Sequence, residues 1–389
     1  MYLIWWRIVM KKFLKSLIWF IFTSVAVSII SGALFSVKDS ISNDVDVTSA
    51  FTIAPPTETT PPAPEFSDLI SLRDYINEQR DSGNNQVDFF YYGTEDLWEE
   101  GRLAGMCGAM SVHVSQLADY HTVTLLKYPG DKIVEAYKSG DTSALTQDEL
   151  LTLARAEEIV NFGLEESADP LELEQFLHDV IAEEVTYYTD DRMNDFEYEN
   201  APRYLSVVGA LLDGQANCQG YSDAFYTLAS MAGFQVSKMS VETPEGGHQV
   251  NTICLNDQWY VVDVTYDDHD GYPTDYGRFN MGMDLITDYW WEDIYERYPI
   301  AENTDPYLYY YSRNGLVFDS TEDFAQMIVD AWLNTEQTGF FGMVRNELNG
   351  DALTDSLSAA LNETGKGYSY QYSYSCNNKD CFYTVEFTE

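Results

Sequence analysis

Two β-like runs, His248–Leu255 and Gln258–Thr265, are separated only by Asn256-Asp257, a pair suited to a two-residue hairpin turn. That turn fixes the register: with Leu255 opposite Gln258, His248 falls opposite Thr265. Side chains alternate along a strand, so Asp263 shares the face of Thr265 and is the diagonal neighbour of His248. Upstream, Asn217 is a good N-cap for a helix starting at Cys218. Tyr221, Phe225, Leu228, Ala229 and Ala232 form its apolar face, and Gly233 stops it. A helix N-terminus carries partial positive charge and unpaired N–H groups, which favour a thiolate and stabilise an oxyanion. Any one of these residues suits a buried core position equally well. Together, the cap and the hairpin parity predict a nucleophile, a base and an orienting carboxylate at Cys218, His248 and Asp263.

The residues around these three resemble a known family. Asn217-Cys218-Gln219-Gly220-Tyr221-Ser222-Asp223-Ala224-Phe225 is followed by Gly247-His248-Gln249-Val250-Asn251 and then by the stretch from Trp259 to Asp268. This three-block order resembles the bacterial transglutaminase-like superfamily, whose core folds like papain-type cysteine proteases. Leu177-His178-Asp179 and Val185-Thr186-Tyr187 are similar to the family's upstream helix and the stretch after it. The resemblance spans Leu171 to Trp291, about a third of the chain. It implies Cys218 as nucleophile, His248 as general base and then acid, and Asp263 as the group orienting the imidazole. The implied chemistry is acyl transfer through a thioester, from a glutamine side chain or a peptide bond to an amine or to water. Gln219 and Tyr187 are either further oxyanion or substrate-positioning groups or structural residues. One departure bears on substrate preference: the family usually has a small residue and then Trp after the histidine, where this chain has Gln249 and Val250.

The rest of the chain sets the context. Arg7, Lys11, Lys12 and Lys15 precede an apolar run from Leu17 to Val37, with Ser31, Gly32 and Ala33 near its end and Asp39, Asp44 and Asp46 beyond it. Read from Met10, this is a secretory leader or a membrane anchor, and the order of charges places the remainder outside the cytoplasm. Pro55, Pro56, Pro61, Pro62 and Pro64 mark an extended spacer before the folded sequence. A helix, strand, helix and hairpin over 68–127 recur in the same order over 321–387, which suggests two copies of a small α+β module. Cys376 and Cys381 flank the turn of the second hairpin and are expected to form a disulfide, whereas Cys107 and Cys254 read as core residues.

The sequence has 64 acidic and 21 basic side chains, a net charge of −43, which excludes duplex nucleic acid and disfavours an anionic membrane surface. With 29 Tyr among abundant aromatics, it is not a disordered acidic tail. Asp267, Asp268, His269, Asp270 and Asp275 read as a solvated acidic loop, because they lack the spacing of a calcium loop. His178, His113 and His121 read as structural. No motif calls for a metal or a cofactor.

The expected fold class is α+β: a papain-like, transglutaminase-type core, with the nucleophile's helix packed on an antiparallel sheet, between two small α+β modules. The expected divisions are a leader or anchor at 1–38, a linker at 39–66, modules at 67–147 and 301–389, and the core at 148–300. The expected partner is a protein or peptide substrate outside the cell, with N-terminal membrane association or secretion. The alternative is a catalytically silent module that holds peptide or cell-wall polymer at the cell surface.

Overall fold

A computed structural model describes residues 63–97, 102–117, 119–189, 201–268, 274–293, 295–335, 337–377 and 379–388; the expected leader and most of the linker lie outside them. Folded structure begins slightly earlier than expected, because Glu65–Phe66 (β1) pairs in parallel with the strand Gln86–Tyr91. Between them runs α1 (Leu69–Asp81), whose N-cap Asp68 accepts from the Ser71 N–H at 2.8 Å. After Gln86–Tyr91 (β2) come α2 (Arg102–Met106) and a hairpin of β3 (Ser111–Leu117) and β4 (Tyr120–Leu126). The sheet order is β1-β2-β4-β3. Its helix-covered face buries Val87, Phe89, Val123 and Leu125 against Leu72 and Ile76 of α1. His121 stacks on Phe89 in this core.

The central region opens with α3 (Pro129–Ser139) and α4 (Gln147–Glu166). The expected division assigned α3 to the first module; instead its Ile133 and Val134 join the central core, on the helix that begins at Cys218. Helix α4 is not read from the apolar pattern, although Thr146 and Glu149 form a complete capping box at its start. Next come α5 (Pro170–Glu184) and β5 (Thr186–Tyr187). Asp169 caps α5, accepting the N–H groups of Leu171 and Glu172, and the Glu172 carboxylate takes the Ala168 N–H. A short α6 (Ala201–Tyr204) and a π-helical turn (Gly209–Asp213) lead to β6 (Gln215–Ala216), which pairs in parallel with β5.

Helix α7 (Cys218–Ala232) is the axis of the core, buried between α3, α4 and α5 on one side and a three-stranded antiparallel sheet on the other. That sheet is β7 (Gln235–Thr243), β8 (Gly246–Leu255) and β9 (Gln258–Val262) in sequential order. Asn256 and Asp257 both have positive φ, 53° and 62°, as a primed hairpin turn requires, and Leu255 does face Gln258. Strand β9 ends at Val262, three residues short of expectation, because Asp263 caps a single helical turn, α8 (Val264–Asp267). A later turn, α9 (Tyr310–Arg313), also packs on this core.

The last module comprises β10 (Val317–Phe318), α10 (Thr321–Asn334), β11 (Gly339–Arg345), α11 (Ala352–Glu363), β12 (Tyr370–Cys376) and β13 (Asp380–Phe387). Its sheet order, β10-β11-β13-β12, and its parallel first pair repeat the first module element for element. Cys376 and Cys381 face each other across the hairpin and are joined as a disulfide. The architecture is thus α+β, a helix-on-antiparallel-sheet core with two like-folded modules. Among the described residues no helix is long and apolar enough to cross a membrane.

Candidate active site

Cys218 is the first residue of α7 and is 9% exposed. The Asn217 side chain accepts the N–H groups of Gln219 (3.0 Å) and Gly220 (3.3 Å), so the cap engages these two donors and not that of Cys218. Gly220 is required by close approach: a Cβ there would lie 2.6 Å from the Ala216 Cβ and 2.7 Å from the Tyr204 carbonyl oxygen. The helix start is therefore pressed against the chain that delivers it. The β5–β6 pairing, Tyr187 with Ala216, brings Tyr187 beside Cys218. Although Tyr187 is 42% exposed, desolvation of its phenol, reinforced by the neighbouring Cys218, pushes its pKa up to about 12. Gln219 is half-buried.

The other half of the site comes from the sheet. Asn251, three residues along β8 from His248, donates to the Ser222 carbonyl of α7 (3.0 Å) and to the Ser237 carbonyl of β7 (3.4 Å). Ser222 in turn donates its hydroxyl to the Val250 carbonyl at 3.2 Å. Helix and sheet are thus joined one turn beyond Cys218. Here His248 Nε2 lies 2.7 Å from Asp263 Oδ2. The nearby Cys218 thiol also acts on the His248 imidazole. Burial alone would lower the His248 pKa, but the Asp263 charge and hydrogen bond, joined by Cys218, lift it to about 10. The structure therefore brings Cys218, His248 and Asp263 together.

Asp263 is 1% exposed and held by four donors. Oδ1 accepts the N–H groups of Thr265 (3.1 Å) and Tyr266 (3.3 Å), while Oδ2 accepts from His248 and from the Tyr289 hydroxyl. Although burial opposes it, His248, Tyr289 and Arg278 together lower the Asp263 pKa and keep the carboxylate charged. Arg278 forms a two-pronged ion pair with Asp288 (3.0 and 2.6 Å), and its guanidinium lies 5.2 Å from the Tyr289 ring centroid. Neither Tyr289 nor Arg278 is anticipated from sequence: both sit in irregular chain beyond the hairpin, where no periodicity or cap marks them.

Three further placements differ from, or refine, expectation. Asp267 and Asp275 are not solvated but buried, at 0% and 2% exposure. Asp267 meets His178 Nε2 at 3.1 Å and the Arg278 N–H at 2.8 Å, and Asp275 accepts the Tyr311 hydroxyl at 2.5 Å. His178, fully buried, also contacts Asp179 at 3.0 Å and so belongs to the scaffold that anchors the far end of α8. Gln249 turns away from the site: its amide oxygen accepts the Tyr128 hydroxyl at 2.8 Å, and Val250 fills the core. The chain's departure from the expected small residue and Trp thus ties the histidine's strand to the end of the first module. His269 and Asp270 lie outside the described residues.

Residues 160–264 match the family described as the transglutaminase-like superfamily. No curated protein matches the chain. Among solved structures, the chain is similar to a TGase at 14% identity, covering 52% of this chain and 59% of that one, with a TM-score of 0.28. It is also similar to a candidate cysteine protease from Cytophaga hutchinsonii at 8% identity, covering 40% of this chain and 61% of that one, with a TM-score of 0.23. A third, a candidate protease from Parabacteroides distasonis, has 8% identity, 71% and 56% coverage, and a TM-score of 0.25. The chain spans less than two thirds of the length of each of these proteins.

Proposed function

We propose that this protein is an extracytoplasmic thiol acyltransferase or hydrolase acting on glutamine side chains or peptide bonds through Cys218, His248 and Asp263. The observation that carries the reading is the 2.7 Å contact of His248 with Asp263, beside a cysteine at a capped helix start. In the first half-reaction the proton of the Cys218 thiol is held on His248 as the imidazolium, and the thiolate sulfur attacks the acyl carbonyl carbon. The C–N bond then breaks, and the departing ammonia or amine takes the proton from His248, leaving a thioester. The Cys218 N–H, with the Tyr187 phenol beside it, is the donor placed for the oxyanion. In the second half, His248 takes a proton from an amine or water, which attacks the thioester and releases Cys218. Asp263 fixes the tautomer of His248 and stabilises the imidazolium. The basic residues and apolar run at the N-terminus, followed by the proline-rich spacer, support action outside the cytoplasm at a membrane or after secretion.

Alkylation of the full chain with iodoacetamide near neutral pH tests this. Cys218 is expected to react faster than free cysteine. That excess is expected to vanish in His248→Ala, and substrate turnover is expected to fall about a thousandfold or more in Asp263→Asn. A Cys218 no more reactive than free cysteine overturns the enzyme and favours the silent binding module. With a reactive thiol, incorporation of a labelled amine into a glutamine-bearing protein separates a transferase from a peptidase.

A further inference from the structure

The two flanking modules can be aligned by register, and the alignment exposes an asymmetry. Phe66 pairs with Tyr91 as Phe318 pairs with Val344, so Phe90 corresponds to Met343 and Asp88 to Phe341. Across the next ladder, Phe90 faces Tyr120 as Met343 faces Phe382. In the C-terminal module this face, the one away from its helices, docks on the central core. Phe382 packs on Tyr311, Phe341 on Tyr276, and the Tyr309 hydroxyl reaches the Met343 sulfur. Phe382 and Met343 are buried there.

The N-terminal module docks the other way, through its helices. Arg73 of α1 donates to the Asp293 and Glu296 carbonyls, Arg102 of α2 pairs with Glu292, and Tyr295 joins the module's own core. Among the described residues its sheet face has no such docking partner. Phe90 and Tyr120 pack edge to face on it, Tyr92 stacks beside Phe90, and Tyr92 is 52% exposed. None of Asp88, Phe90, Tyr92, Tyr120 or Thr122 is buried. The four strands contain no Lys or Arg. Around the aromatic cluster stand Asp88, bonded to Thr122, and Glu65 and Asp119, whose charges both act on the Tyr92 phenol. His113, also exposed, is the remaining titratable group projecting from this face.

We propose that this open sheet face is a docking surface for a basic polypeptide segment. Its apolar or aromatic side chains would sit on Phe90, Tyr92 and Tyr120, and its lysines or arginines would meet Glu65, Asp88 and Asp119. The register-matched face of the sister module already performs such docking within the chain, with the aromatic anchors that interfaces favour. Charge selects the partner: an acidic rim on a chain of net charge −43 repels a second copy and attracts a cationic one.

The probe is a fluorescently labelled random copolymer of lysine and tyrosine, titrated into the full chain at near-physiological salt and read by anisotropy. Tyr92→Ser and Asp119→Lys are each expected to weaken binding about fivefold or more, while Tyr307→Ser, an exposed tyrosine elsewhere, leaves it unchanged. Equal binding by wild type and both variants would mean general attraction to the acidic chain, and the proposal fails. It fails equally if a glutamate–tyrosine copolymer binds as well. Self-association abolished by Tyr92→Ser would assign the face to a second copy, and binding of soluble glycan in place of the copolymer would assign it to a polymer; either overturns the proposal.

Discussion

Glu174 offers a sharp test of the packing behind the site. It lies on the inner face of α5, fully buried, and its one hydrogen bond comes from the Asn280 amide at 3.2 Å. Burial pushes its pKa from the ordinary 4.5 up to about 8; the nearby charges of His178 and Arg313 pull the other way but lose. The folded state therefore keeps a proton that the unfolded chain releases near pH 4.5. The sign follows: the stability this group contributes is complete below about pH 4.5 and is lost as pH rises through about 8. A displacement of that size corresponds to roughly 5 kcal/mol across the window. Glu174→Gln keeps the shape and removes the titration. In urea unfolding from pH 5 to 9, the mutant's stability relative to wild type should climb by several kcal/mol and level off above pH 8. The difference cancels the self-repulsion that both chains share. Parallel pH profiles for the two proteins would refute the reasoning, since they would mean that Glu174 is ionised inside the fold.

Three other substitutions follow from the same contacts. Tyr289→Phe removes one donor from Asp263 Oδ2 and leaves that oxygen to His248 alone. The fold should persist, the His248 pKa should rise further, and the alkaline limb of the Cys218 alkylation profile should move up; an unchanged profile would remove Tyr289 from the site. Lys238→Met strands the buried Asp223 carboxylate, now 2.9 Å from the ammonium, and should cost about 3–5 kcal/mol in urea unfolding. Gly220→Ala drives a Cβ into Ala216 and the Tyr204 carbonyl, and should cost about 1–3 kcal/mol while slowing alkylation of Cys218.

What the sequence makes legible here is local. Asn217, Asp169 and Gly233 mark helix ends because each cap satisfies backbone groups within a few residues. The Asn256-Asp257 turn places His248 and Asp263 together because hairpin parity is arithmetic over a short distance. Even there the inference succeeds for a partly different reason. Asp263 is not in the strand, and it reaches His248 as the cap of α8, a role that its own bonds to Thr265 and Tyr266 create. What the sequence hides is supplied from far away. Asp267 looks like one acid in a solvated run until His178, 89 residues upstream, is folded onto it. Asp275 is buried with the Tyr311 hydroxyl, 36 residues on, among its donors. Neither partner leaves a periodic trace beside the residue it serves.

The buried carboxylates also explain how one fold keeps some acids charged and others not. Asp263 has four donors and the Arg278 charge nearby, and its pKa is lowered despite complete burial. Asp267 has two, from His178 and the Arg278 backbone, faces the Asp275 charge, and is pushed up to about 7. Glu174 has one and is pushed up to about 8. Desolvation leads in all three, and only at Asp263 do the opposing His248 charge and the donors turned toward the carboxylate outweigh it. The acid that faces His248 is the one held ionised, as the orienting group of the proposed acyl transfer must be to stabilise an imidazolium. Tyr289 and Arg278 therefore matter to the site as much as the hairpin does: the hairpin sets where Asp263 stands, and they set its charge.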